Sequence, residues 1–273
     1  MTGENKTEVN GLWIGERLSS MEMLTISSFI RNGYQFNLWL YDRLVHPLPE
    51  GCVVKDASTI IPAEKIFKYK NVSQFGTGKG SVSGFSDIFR YKLLHDVGGW
   101  WVDMDVTSIK PFIYDEPYFF RHHHSMPLVG NIMKAPKGSS LMWNCYEEAS
   151  ATVDENNQDW HKPIEILARN VFAKKLQQYI VSEVSNTDEW PKIERYVWKD
   201  SSFPDQWHFV HWCNEVWRTK GIQKDKAIYS SSYGRLLLSY ALLKPLSPLN
   251  KFSHDMGIRL RRTWQIISQK LGN

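Results

Sequence analysis

The chain has little cysteine. Cys52, Cys145 and Cys213 are the only three in 273 residues, and no two form a CxxC pair. An odd, scattered set excludes a disulfide framework or a cysteine zinc site and points to reduced thiols in the cytosol. Long apolar runs are absent too: no stretch of about eighteen apolar residues could form a transmembrane helix. Residues 1–10 are polar and lack the apolar core of a signal peptide. Charge of either sign is not in large excess, with 33 Lys and Arg against 29 Asp and Glu. The net +4 suits a polyanionic ligand or an anionic membrane surface and gives no reason to invoke nucleic acid. No repeat, low-complexity tract or linker splits the chain. Its length fits one α/β domain over 1–273, with 245–273 as a basic amphipathic C-terminal extension.

Aromatics, by contrast, are plentiful: 12 Trp, 12 Tyr and 13 Phe. Rings fill cores and also stack on sugars and bases. The informative stretch is 86–105, SDIFRYKLLHDVGGWWVDMD. Ile88, Tyr91, Leu94 and His95 share one helical face. Ser86 reads as the N-cap, Asp87 as a first-turn acid, and Gly98-Gly99 as the stop. Trp100, Trp101 and Val102 read as a short buried strand ending in Asp103-Met104-Asp105. On an extended chain, carboxylates at i and i+2 lie on the same side. Such a pair repels unless a cation resolves it, and Mg²⁺ or Mn²⁺ suits oxygen ligands. Two solvated loop acids are the plain alternative.

The string S-D-x-x-R-Y-x-x-L-x-x-x-G-G-x-W-x-D-x-D resembles the DXD region of sugar-nucleotide glycosyltransferases. These include yeast mannosyltransferases, bacterial capsule and lipopolysaccharide sugar transferases, and the glucosyltransferase domain of large clostridial toxins. The residues that carry the likeness are Ser86, Asp87, Arg90, Tyr91, Gly98, Gly99, Trp101, Asp103 and Asp105. Position 101 is usually Tyr in that family. The resemblance implies a GT-A-type, Rossmann-like α/β fold with a mixed, mostly parallel sheet flanked by helices. It implies transfer of a sugar from a UDP-sugar or GDP-mannose to a glycan or lipid-linked glycan, with retention of configuration. Asp103 and Asp105 would hold the Mn²⁺ or Mg²⁺. Asp87 would accept hydrogen bonds from sugar hydroxyls, and Arg90 would hold the donor side or simply pair with Asp87. Asp103-Met104-Asp105-Val106-Thr107 also fits the DxDx[TV] motif of haloacid-dehalogenase-like phosphatases. About a hundred residues precede it, however, and no GDxxxD follows. A non-catalytic protein that binds sugar nucleotides is the third reading.

Elsewhere, residues 9–15 read as a first strand, 18–31 as an amphipathic helix and 36–41 as a second strand, a βαβ unit with parallel strands. Trp13 and Gly15 resemble the family's opening segment, so Trp13 is either the floor of the nucleotide site or a core aromatic. Asp42 sits at a strand end, as a nucleotide contact or a loop residue. A short helix is expected over 62–69. The Gly-rich FGTGKGSVSG at 75–84 reads as a loop, either leading into the site or inert. His122, His123 and His124 cannot all face one ion and read as surface or cleft-edge residues. Residues 128–133 read as a strand, with Asn131 a candidate sugar contact. Helices are expected from 139 to about 152, over 161–183 and over 236–243. Residues 207–211 read as a strand. There, His211 resembles the family's late metal or phosphate ligand, or is a structural histidine, and Trp212 is placed with the donor-binding residues. The basic amphipathic segment 258–271 would either lie on the inner face of the membrane or pack on the domain.

Overall fold

The computed structural model describes residues 6–271, with side chains to Ile267 except 265 and 266. The N-terminal unit is β1 (Glu8–Trp13), α1 (Ser20–Arg31), β2 (Gln35–Leu40) and β3 (Cys52–Asp56), all three strands parallel. A capping box starts α1: Ser19 caps the helix while the Glu22 carboxylate accepts from the Ser19 backbone N–H. Next come α2 (Ser83–Asp96), β4 (Gly99–Val102), β5 (Val106–Ser108), β6 (Phe119–Arg121), β7 (Val129–Ala135), α3 (Ser140–Thr152) and α4 (Lys162–Ala173). The rest is β8 (Ile180–Val181), α5 (Trp190–Trp198), β9 (Phe209–His211), α6 (Asn214–Thr219), α7 (Ser232–Ser239) and α8 (Pro248–Leu271).

Seven strands form one sheet in the order β3-β2-β1-β4-β7-β6-β8, and β5 pairs with β9 apart from it. Within the large sheet only the β4–β7 and β7–β6 pairings are antiparallel, so the sheet is mixed and mostly parallel. Strand alternation divides the core. Trp101, Trp39 and Met133 face α2, α3 and α4, while Trp100, Phe36 and Ile132 face α1. A third apolar cluster joins Met21 and Leu24 of α1 to α5, α6 and α7 through Trp212, Trp217 and Tyr233. Among the described residues no helix is long and apolar enough to cross a membrane.

Several expectations need correction. The helix before the DXD starts one turn earlier than its apolar spacing suggested, so Ser86 lies inside α2 and donates its N–H to the Val82 carbonyl. Its stop is as expected. Gly98 has φ +77°, and a Cβ there would lie 2.5 Å from the Lys137 nitrogen. Asp103 and Asp105 are not on an extended chain. The strand ends at Val102, and Val106 N–H donates to the Asp103 carbonyl, closing a turn. The helix expected over 161–183 stops at Ala173, where the chain reverses and Lys175 adopts φ +56°. The one over 236–243 is shifted to Ser232–Ser239 by the Ser231 cap. A single 3₁₀ turn, Ala63–Lys65, replaces the short helix over 62–69.

Candidate active site

A cleft of about 700 Å³ opens where β4 ends. Its floor comes from four directions: α2 supplies Asp87 and Arg90, and the turn after β4 supplies Asp103 and Asp105. β7 supplies Asn131, and β9 with α6 supplies His211 and Asn214. Trp13 lines one wall at the end of β1.

Arg90 is the hub on one side. Its Nη2 lies 3.0 Å from Asp87 Oδ1 and 3.0 Å from Asp103 Oδ1, and Nη1 donates to the Gly130 carbonyl at 2.6 Å. The guanidinium is therefore taken up within the protein, bracing the two carboxylates. It is neither a free donor-side cation nor a partner of Asp87 alone. Trp101 Nε1 donates to the same Asp103 oxygen at 2.8 Å. The indole thus braces this carboxylate from a second side. Burial pushes Asp87 up to about 6, against the pull of Arg90 and with the help of Asp103. Burial likewise raises Asp103, opposed by Arg90. The Asp103 side chain keeps 26% of its exposure against 12% for Asp105, so Asp103 is the carboxylate open to the cleft.

His211 is the hub on the other side. Its Nε2 lies 3.2 Å from Asp105 Oδ2, and its Nδ1 donates to Asp188 Oδ1 at 2.5 Å. Burial works against a charged ring, but the two carboxylates hold it well above the usual imidazole range. Asp188 pairs in turn with Arg121, which donates to Asn131 Oδ1 at 2.9 Å and to Ser185 Oγ at 2.9 Å. Asp188 resists burial through Arg121 and His211 and stays well below the carboxylate range. His123 also reaches Asp188, at 3.5 Å, but burial lowers it to about 4, so this contact is not an ion pair. Cys213, left-handed at φ +56°, turns the chain from β9 into α6. That turn brings the Asn214 N–H to Asp105 Oδ2 at 2.7 Å.

Among the described residues, three buried polar atoms on the cleft wall have no protein partner: Ser83 Oγ, Asn131 Nδ2 and Asn214 Oδ1. Buried polar atoms are rarely left unpaired unless something else binds them. Asn214 Oδ1 belongs to the residue whose backbone N–H reaches Asp105, so these two residues offer a carboxylate and an amide oxygen, donors that suit a hard divalent cation, while His211 could add its imidazole only after losing a proton.

Two expected site residues lie elsewhere. Gly15 is outside the cleft lining, and its N–H donates to Asp42 Oδ2 at 2.9 Å. Asp42 therefore serves to tie down the loop after β1. Trp212 is fully buried and donates through Nε1 to Thr107 Oγ1 at 2.8 Å, so it packs the core behind the cleft. The Gly-rich loop does reach the site. Its Gly78 N–H donates to Glu215 Oε1 at 2.7 Å, and Phe75, Thr77 and Ser81 line the cleft. His123 and His124 also line it. Nothing in the spacing of the sequence links Asp188 or Arg121 to His211; only the fold brings them together.

No family model matches the chain, and no curated protein matches it in sequence. Solved structures do. The bifunctional glycosyltransferase WbbM, in its apo form, aligns over 94% of this chain and 53% of its own, with TM-score 0.51 and 9% identity. The fold is of the GT-A type. This chain spans about half of WbbM's length. Looser likenesses are the PaToxG glycosyltransferase (TM-score 0.45, 13% identity, 62% of this chain and 69% of that one) and a transferase double cysteine-to-serine mutant (0.42, 11%, 64% and 86%).

Proposed function

We propose that the protein is a metal-dependent, retaining glycosyltransferase. It would move a hexose from a UDP-sugar or GDP-mannose to a hydroxyl of a glycan or lipid-linked glycan of the capsule or lipopolysaccharide kind. The observation that carries this reading is the cleft floor. An open Asp103 carboxylate, braced by Arg90 and Trp101, lines the same cleft as three unpartnered polar atoms from three different elements. A solvated pair of loop acids would need no such bracing.

Asp105 and Asn214 would hold Mn²⁺ or Mg²⁺, with Asp103 nearby, and His211 would join them only by giving up its Nε2 proton to the incoming ion. Such an ion neutralises a departing diphosphate. Asp87 and Asp103, fixed in orientation by Arg90, are placed to accept hydrogen bonds from donor hydroxyls. Asn131 Nδ2 and Ser83 Oγ offer further polar contacts, and Trp13 offers a face for the base or ribose. Each acidic side chain lining the cleft is paired with a cation: Glu22 with Lys224, Asp87 and Asp103 with Arg90, Asp105 with His211, Asp188 with Arg121, and Glu215 with Arg218. Among the described residues, no carboxylate of the cleft lacks a cationic partner and stands ready as a general base. This supports retention, with the leaving phosphate taking the acceptor proton. The three free cysteines suit a cytosolic setting.

The test is calorimetry of UDP-glucose, UDP-galactose, their N-acetyl forms and GDP-mannose, with Mn²⁺ and then with chelator. One donor should bind only with metal, and Asp103→Asn with Asp105→Asn should abolish it. Failure of every donor on folded, metal-loaded protein, or release of phosphate from simple monoesters, would overturn the assignment. The anomeric form of the product, read by NMR, tests retention.

A further inference from the structure

The C-terminal helix α8 carries an apolar stripe that the fold leaves in the open. Leu249, Phe252, Met256, Leu260, Trp264 and Ile267 are all exposed, Leu249 and Trp264 by 79% and 75%. Their spacing of three and four residues, at about 100° per residue, places them within an arc of about 120°. The opposite face fastens the helix to the domain. Asp255 accepts from the Tyr229 N–H at 2.6 Å, the Ser230 N–H at 3.0 Å and Ser230 Oγ at 2.7 Å. Arg262 pairs with Glu194 and lies 4.1 Å over the Trp198 ring. The apolar arc therefore points away from the body of the protein.

Charge selects what would cover it. Residues 245–273 hold five basic residues, Lys251, Arg259, Arg261, Arg262 and Lys270, against one acid. That acid is Asp255, which is buried and already bonded. Exposed Arg261 flanks the apolar arc, where its long side chain can reach outward while its stem lies along it, and Arg259 on the other edge is exposed but donates to Ser230 Oγ at 3.4 Å. A second copy of the chain on this face would bring arginines together with no exposed acid on the helix to pair them.

We propose that this face of α8 lies on an anionic lipid surface, parallel to it. The apolar stripe would enter the boundary between headgroups and acyl chains, and Arg261, joined by Arg259 when it leaves Ser230, would meet lipid phosphates. Trp264 suits that depth, since its ring is apolar and its N–H polar. The contact starts at Leu249, well before the segment 258–271 that the sequence pattern suggests, and runs about 27 Å to Ile267. It is a surface contact and not a span. It depends on none of the chemistry proposed for the cleft.

The test is cosedimentation of the full chain with vesicles of phosphatidylcholine alone and of phosphatidylcholine mixed with phosphatidylserine. Binding should require the anionic lipid and weaken with salt. Leu260→Ser with Trp264→Ser should cut the partition coefficient roughly a hundredfold, and Arg261→Gln roughly fivefold, with unchanged thermal melts because these side chains are exposed. The proposal is overturned by failure to bind, by equal binding to both vesicles, or by full binding of the double variant. It is also overturned if sedimentation without vesicles reveals a dimer that the double variant abolishes, because the stripe would then belong to a second copy.

Discussion

Asp188→Asn is the substitution that most directly probes how the cleft is built. It keeps the shape of the side chain and removes the charge between Arg121 and His211. The Arg121 and Asp188 side chains are 3% and 10% exposed, so water cannot take the place of the lost carboxylate. Arg121 would keep neutral partners in Asn131, Ser185 and the Asn186 carbonyl, but no counter-charge. Removing one member of a buried pair costs about 3–5 kcal/mol, because the other charge stays buried and uncompensated. For a chain of this size that corresponds to a melting temperature lower by about 10 °C. Glu155→Gln is the matched control. Its partner Lys70 is 60% exposed, and such pairs contribute little. The assay is thermal unfolding of both variants followed by circular dichroism. An unchanged melt for Asp188→Asn, or equal losses in the two variants, would refute the argument that burial makes this pair matter. Donor affinity measured on the same sample should also fall, since His211 loses the carboxylate that orients it.

Three other outcomes are expected. Trp101→Phe loses the indole donor to Asp103, so donor affinity by calorimetry should fall about tenfold, and because Trp101 is fully buried the smaller ring also leaves a cavity and the melt should drop. Gly98→Ala should destabilise by about 2 kcal/mol or more, because φ is +77° and the added Cβ meets the Lys137 backbone. Gly138→Ala, at φ +74° with open space around it, carries only the backbone strain, and the difference between the two denaturant melts isolates the clash. Asp255 is held below the usual carboxylate range, against its burial, by the Ser230 hydroxyl and the Tyr229 and Ser230 N–H groups. Its contribution is therefore present above the unfolded value near 3.9 and is lost as pH falls through the folded value. Asp255→Asn should be less stable than the parent at neutral pH, and that difference should shrink in melts taken below about pH 4.

Local signals in the sequence determined the elements. The alternation Trp100/Trp101 put one indole on each side of the sheet, Gly98 stopped α2 where a positive φ was needed, and the βαβ spacing of 8–40 required parallel strands. The DXD string marked the strand end where the cleft lies, since that information is contained within twenty consecutive residues. The tertiary structure alone decided how the charges are partnered. Arg90 could have faced a ligand, but the approach of β7 gives its guanidinium the Gly130 carbonyl and the turn after β4 gives it Asp103. Asp188 enters from a segment 85 residues after Asp103, and Arg121 from a separate strand. Their meeting at His211 is a matter of sheet order, which a one-dimensional pattern does not encode. Trp212 shows the same limit from the other side. One residue past His211 the chain turns, and a ring expected at the donor is packed wholly into the core.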